Sequence, residues 1–468
     1  MAEETWNAAR LIPTSGINGS EEQERRATSA LLAVMAVVKE FSRAVVTPLG
    51  APAGNVETYI EVPFMLGDKR VYPDGLIRVT RGARSWTALV EVKTGRNELQ
   101  AEQLENYLDI ARDHGFDALL TISNEIPAVA DQHPTKVDKR KLKKVAIHHL
   151  SWSQILSVAV MQAEHKGVSD PEQAWILREL IRYLEHPKSG ALEFEDMGQN
   201  WVTVRNSVKA GILRGADKTI PDIVARYDAL LRFASLRLGR QLGTEVTPLL
   251  SRKEQADPVL RAQALADSLV TSGVLSGVIK IPHAIAPVHL TADLRAGQVA
   301  AHIEIDAPKT GRATTRVNWL VRQLKSAPDS VRVEAFVANG RGAGAAALLG
   351  AVRADPNLLV LDPAKDIRSF RVAYTMPMGA KGGRGRGTFI DSMLDILDGF
   401  YGDVVQHLKA WTAAPPRMRE PDPVPSGVAE ALVSTALSSQ DGAERTNGTA
   451  PEARGTMDEN AAPEHAGL

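Results

Sequence analysis

Five residues within one short stretch have types and spacings that could do chemistry: Asp74 after Pro73, Glu91 and Lys93 with one residue between them, then Gln103 and Tyr107. Glu91 and Lys93 lie two apart in the run ALVEVK, so a strand sends both side chains from one face. Gln103 and Tyr107 are four apart and share one face of a helix. Residues 71–80 and 86–93 are rich in Val, Leu, Ile, Trp and Thr, and Arg81-Gly82-Ala83-Arg84-Ser85 between them has the chemistry of a hairpin turn. Antiparallel pairing of the two runs would carry Asp74 to the end of the second, where two carboxylates and an ammonium converge. Such a set suits a hard divalent cation, Mg²⁺ or Mn²⁺, and a water nucleophile. Val92 points the other way along its strand, which places its backbone carbonyl to complete the ligands. The competing reading is a turn acid after a proline and a strand-edge ion pair of little energetic weight. The apolar residues leading into Glu91 speak against it.

These residues need elements to hold them. Ser20 is a candidate N-cap with Glu21 and Glu22 in the first turn. Leu31, Met35, Val38 and Phe41 then give an apolar face to one helix reaching about Val46. The loop 47–54 ends it, 57–66 reads as a strand, and Gly67-Asp68-Lys69 as a turn before the Asp74 strand. After the Gln103/Tyr107 helix, Gly115 is a stop, 116–123 a buried strand, and 145–150 another strand followed by a helix from Ser151. His148 and His149 fall on opposite faces of that strand, and neither is assigned to a metal.

Pro73-Asp74, Glu91-x-Lys93 and Gln103-x-x-x-Tyr107, on elements in the order helix, three strands, helix, strand, resemble the PD-(D/E)XK nuclease superfamily and its RecB-like branch. The resemblance covers roughly residues 18–150. It implies a restriction-endonuclease-like αβββαβ core and Mg²⁺-dependent hydrolysis of DNA phosphodiester bonds. Asp74 and Glu91 would hold the metal, and Lys93 would orient water or stabilise the pentacovalent phosphate. Gln103 and Tyr107 would support the lysine and the substrate strand. Members often add a glutamate from the first helix. Here that is Glu22 or Glu24, with Glu24 preferred because it lies deeper in the helix. Members also often dimerise.

Composition sets the remaining bounds. At 468 residues, with 44% hydrophobic and 24% charged residues, the chain reads as a globular protein of more than one domain. The absence of cysteine excludes disulfides and thiolate metal sites and fits a reducing cytoplasm. No run is long and apolar enough to span a membrane, and no signal peptide is visible. Net charge is −1, so binding DNA requires locally clustered cations. The stretch from Lys136 to Lys144 supplies such a cluster. Lys139, Arg140, Lys143 and Lys144 are the candidate phosphate contacts, against the plainer reading of a solvated face.

The expected organisation is therefore α/β and α+β with several domains. The nuclease-like domain spans 1–160, a mainly helical connector 161–275, an α+β domain of unassigned role 276–412, and a disordered tail 413–468. The Gly/Arg loop 381–387 reads as a surface loop. The chain has no GxxxxGK[ST] sequence, so any motor it works with is another polypeptide. The alternative to a nuclease is a non-catalytic DNA-binding or regulatory protein of a stress-response or defence module that keeps the fold.

Overall fold

The computed structural model describes residues 11–12, 19–127, 132–191, 194–338, 340, 344–383, 385 and 387–413. The expected tail lies outside these residues from position 414 onward. The described residues as far as Trp411 fall in one compact unit, and the chain is a mixed α/β protein built on two large sheets.

The first sheet is preceded by α1 (Ser20–Val37) and α2 (Lys39–Val46). The apolar periodicity predicts one helix here, but Val38 is extended (φ −90°, ψ 94°) and breaks it. Val38 and Phe41 are both fully buried, so packing of the second segment outweighs helical continuity. The strands β1 (Asn55–Ile60), β2 (Phe64–Leu66), β3 (Lys69–Val71), β4 (Gly75–Arg81) and β5 (Arg84–Val92) follow. The two long strands expected over 57–66 and 71–80 are thus each divided. Pro63 and Pro73 lack the N–H a ladder needs, and β2 and β3 leave the sheet as a hairpin turned by Gly67 at φ 59°.

Next come α3 (Ala101–Asp113), β6 (Ala118–Ser123), β7 (Ala146–Ser151), α4 (Trp152–Val160) and α5 (Pro171–Leu184). The sheet order is β1-β4-β5-β6-β7. β1, β4 and β5 pair antiparallel, and β5, β6 and β7 pair parallel. Leu76, Leu89 and Leu119 meet Leu104 and Leu108 of α3 on one face. Val90, Val92, Leu120 and Ile122 pack with residues of α1, α2, α4 and α5 on the other. The central strands are therefore covered on both sides, which explains their nearly continuous apolar sequence.

The second sheet uses α6 (Trp201–Lys209), α7 (Ile220–Leu242), β8 (Thr247–Pro248), α8 (Arg252–Ala256), α9 (Pro258–Thr271), β9 (Val274–Lys280), β10 (Val288–Asp293) and β11 (Gln298–Asp306). It is completed by α10 (Ala313–Gln323), β12 (Arg332–Val337), β13 (Ala345–Leu348), α11 (Leu349–Ala354), β14 (Ile367–Pro377) and α12 (Phe389–Asp403). Its order is β13-β12-β14-β11-β10-β9-β8, all antiparallel. Burial alternates along β10 and β11, so one face carries the core and the other stays open. Trp201, Tyr227, Phe233 and Leu269, on helices before the sheet, belong to this core, whereas α5 belongs to the first. The stretch of small residues after β12 forms β13 before α11, because Ala345–Leu348 pair with β12. Among the described residues no helix is long and apolar enough to cross a membrane.

Candidate active site

Asp74 immediately precedes β4, and Gly75 pairs with Val90, which sets Asp74 opposite Glu91 near the end of β5. Gly75 makes a close approach possible. A Cβ there would lie 2.5 Å from Leu32 Cδ1 of α1 and 3.1 Å from the Tyr59 carbonyl oxygen. Its absence lets α1 lie against the start of β4 and brings Glu24 over the strand ends.

Lys93 stands at the centre of the group. Its Nζ is 2.5 Å from Glu91 Oε1 and 3.0 Å from Glu24 Oε1, and donates to the Val92 carbonyl at 3.1 Å. The Val92 N–H donates to Asp74 Oδ2 at 2.7 Å. Trp152, the first residue of α4, donates its indole N–H to the Lys93 carbonyl at 2.9 Å and fixes that backbone. Glu24 Oε2 receives long bonds from Thr94 N and Asn97 Nδ2, both 3.4 Å. Glu22 turns aside to Arg26 at 2.7 Å. Gln103 Nε2 donates to the Tyr107 hydroxyl at 3.2 Å, and that hydroxyl lies 3.5 Å from the Tyr72 carbonyl.

Glu91 is 1% exposed, and neither of its oxygens has a hydrogen-bond partner despite the nearby ammonium. The 2.5 Å approach of Lys93 is an ion pair off the line a hydrogen bond requires. Burial, and then the adjacent Asp74 carboxylate, push the Glu91 carboxyl up to about 8. Burial likewise raises Asp74, against the lowering by the Val92 N–H and Lys93. Burial alone would discharge Lys93, but Glu91 and Asp74 outweigh it and hold the ammonium above its ordinary value. We place the ammonium as charged at neutral pH, because Glu24 also supports it, and the shared proton on the Asp74/Glu91 carboxyls. Burial beside Glu91 raises the Tyr107 phenol to about 12, so it stays protonated.

A groove of about 450 Å³ opens onto Asp74 and Glu24, with Thr28, Ile60 and Tyr72 in its walls. Arg25 lies in the same groove, 2.9 Å from Glu61, a residue held at φ 49°. Among the described residues no three His, Asp or Glu side chains already stand at metal-ligand spacing. The donor set nonetheless fits a hard cation, since the buried Glu91 carboxyl, ion-paired with Lys93 but without an aligned hydrogen bond, stands beside a second acid.

The candidate phosphate contacts lie elsewhere. Lys139, Arg140, Lys143 and Lys144 are exposed on the segment before β7. Lys141 ties that segment to α3 through Asp109 at 2.5 Å, and Arg140 pairs with Asp138 at 2.7 Å. Sequence reasoning missed Thr94, Asn97, Trp152 and Thr121. Thr121 of β6 is in register with Glu91 on one side and His149 on the other, forming a polar row across an apolar sheet. A buried Thr inside FDALLTIS was the only available signal for it. No protein-family model, curated protein or solved structure matches the chain.

Proposed function

We propose that the chain is a metal-dependent nuclease that hydrolyses DNA phosphodiester bonds at the Asp74/Glu91/Lys93 site, on a restriction-endonuclease-like core. The observation that carries this reading is Glu91: a fully buried carboxyl, ion-paired with Lys93 yet raised by burial and by the Asp74 carboxyl beside it, forms with Asp74 an acid pair suited to exchange its proton for a hard cation. The order α1, β1, β4, β5, α3, β6 supports the core assignment.

Asp74, Glu91 and the Val92 carbonyl, with Glu24 at the edge, would hold Mg²⁺ or Mn²⁺, which supplies a bound water of lowered pKa and neutralises phosphoryl charge. Lys93 remains an ammonium and is positioned to donate to a non-bridging phosphate oxygen or to the attacking water. Glu24 anchors it, and Trp152 fixes its backbone. Tyr107 stays a neutral donor, oriented by Gln103, on the α3 side of the site.

The test is calorimetric titration with Mg²⁺ or Mn²⁺ and a cleavage assay on single- and double-stranded DNA, with Asp74→Ala alongside. Metal binding and cleavage, both lost in the variant, are expected. A second reading, a DNA-binding protein without turnover, draws on the ammonium lying between Glu24 and Glu91. Metal-independent DNA binding with no cleavage in any condition would favour it.

A further inference from the structure

Of the large apolar side chains exposed among the described residues, two line the groove at Asp74: Tyr72, 51% exposed, and Ile60, 47% exposed. Apolar groups scattered singly over a surface need no explanation, but these two share one groove with the acids of the site.

The elements that build the site also hold this pair. Ile60 ends β1 in register with Gly75, the residue after Asp74, and the Glu61 N–H donates to the Asp74 carbonyl at 3.3 Å. Tyr72 stands two residues before Asp74. Pro73 between them confines Tyr72 to extended backbone. The Tyr107 hydroxyl, itself a partner of Gln103, donates to the Tyr72 carbonyl at 3.5 Å. A short, stiff segment therefore ties the Tyr72 ring to Asp74, and Gln103 and Tyr107 support its backbone from α3.

Charge in the groove limits what can lie against these residues. Its walls carry Glu21, Glu24, Glu61 and Asp74, with Arg25 as the cation among them. Arg25 lies 2.9 Å from Glu61 and 3.6 Å from Glu21, so acids on both sides already engage it. A phosphate chain laid along such walls would be repelled, and a backbone is drawn in only where a bound metal and Lys93 meet it. An uncharged base meets no such penalty. A duplex keeps its bases stacked between two charged backbones, whereas a single strand can turn a base outward onto an aromatic ring.

We propose that the groove takes an unpaired base beside the scissile phosphate, stacked on Tyr72 and touching Ile60, and that the substrate is therefore single-stranded DNA. The inference rests on the nuclease reading, and the experiment keeps the two apart.

The full chain with Mn²⁺ is given one oligonucleotide as a single strand, the same strand in a duplex, and single strands with an abasic position scanned along them. The single strand should be cut at least tenfold faster than the duplex. Tyr72→Ala should raise KM for the single strand roughly tenfold with kcat little changed, the effect of losing one stacked base, and Tyr72→Trp should restore it. At one position the abasic strand should cost the wild type as much as Tyr72→Ala does, and cost that variant nothing further. Ile60→Ala should act in the same direction, more weakly. Equal rates on single strand and duplex would overturn the base site and leave the nuclease standing. So would a Tyr72→Ala loss that is the same on both substrates, or abasic effects that add in full to it. Should neither substrate be cut, the nuclease reading fails, and fluorescence anisotropy with the same oligonucleotides still reads the base site. A preference for single strand that Tyr72→Ala removes supports it, and no preference overturns it.

Discussion

The two sheets treat charge in opposite ways. In the first, Asp74, Glu91 and Lys93 sit at the ends of strands covered on both faces, and the Glu91–Lys93 ion pair is shut away from water with Glu91 1% exposed. In the second, the charged residues stand on the open face of strands buried on one side only. There Arg371 lies 2.5 Å from Glu304 and 3.6 Å from Glu334, and the Arg371 guanidinium lowers the Glu304 carboxyl. His289 and His302 stack beside them with centroids 4.6 Å apart. Charges on the open face are relaxed by partners and water. Those in the covered sheet are held in an environment that raises the acids and stores unfavourable energy. We read such an arrangement as one kept for a ligand, and this contrast is why the proposed chemistry is assigned to the first sheet.

The contrast breaks most sharply through substitution of the covered acids. Asp74→Ala, Glu91→Ala and Lys93→Ala should each reduce metal-dependent cleavage by roughly a thousandfold or more, with circular dichroism unchanged. Full activity in Glu91→Ala would remove the site from the first sheet.

Next in size is a pH effect. The Glu91 carboxyl is raised in the folded protein to about 8 from an ordinary value of 4.5, so between those values the folded state holds a proton that the unfolded chain has released. Stability in chelator should therefore fall as pH rises through this window, by at most about 1.4 kcal/mol per pH unit. Glu91→Gln should flatten that decline in urea titrations, and equal slopes for both proteins would show that Glu91 is not strained.

Neutralising Lys139, Arg140, Lys143 and Lys144 together should weaken DNA binding and reduce its salt dependence by up to about one unit of log–log slope per cation. An unchanged slope would return these residues to a solvated face. The smallest effect belongs to the open sheet. Arg371→Ala should cost less than about 1 kcal/mol, because its pair with Glu304 is exposed. A loss of several kcal/mol would mean that the open face is not relaxed, and would erase the difference between the sheets.

Much of the local geometry was legible in the chain. A strand's period of two puts Glu91 and Lys93 on one face, and a helix's 3.6 puts Gln103 beside Tyr107. The turn expected over Arg81–Ser85 joins β4 to β5 but is tighter, Gly82 and Ala83 alone, with Arg81 paired to Arg84 and Ser85 to Thr80. The break at Val38 was not legible, because an apolar periodicity reads the same whether or not the helix is interrupted. The β2–β3 hairpin was hidden for a similar reason, since Pro63 and Pro73 mark where a ladder fails but not where the chain goes next.

By itself, then, the sequence determined which acids and which lysine share a strand end, because those placements follow from bond geometry over a few residues. The tertiary structure decided what surrounds them. It directs Glu24 to Lys93 and Glu22 to Arg26, two residues of similar chemistry on one helix, because Gly75 lets α1 settle against β4 in one rotation. It brings Trp152 from 59 positions away to the Lys93 carbonyl, and it aligns Thr121 and His149 with Glu91. Burial, and with it the raised carboxyl of Glu91, depends on what packs against both faces of a strand. That is fixed by contacts between distant segments, which no local spacing encodes.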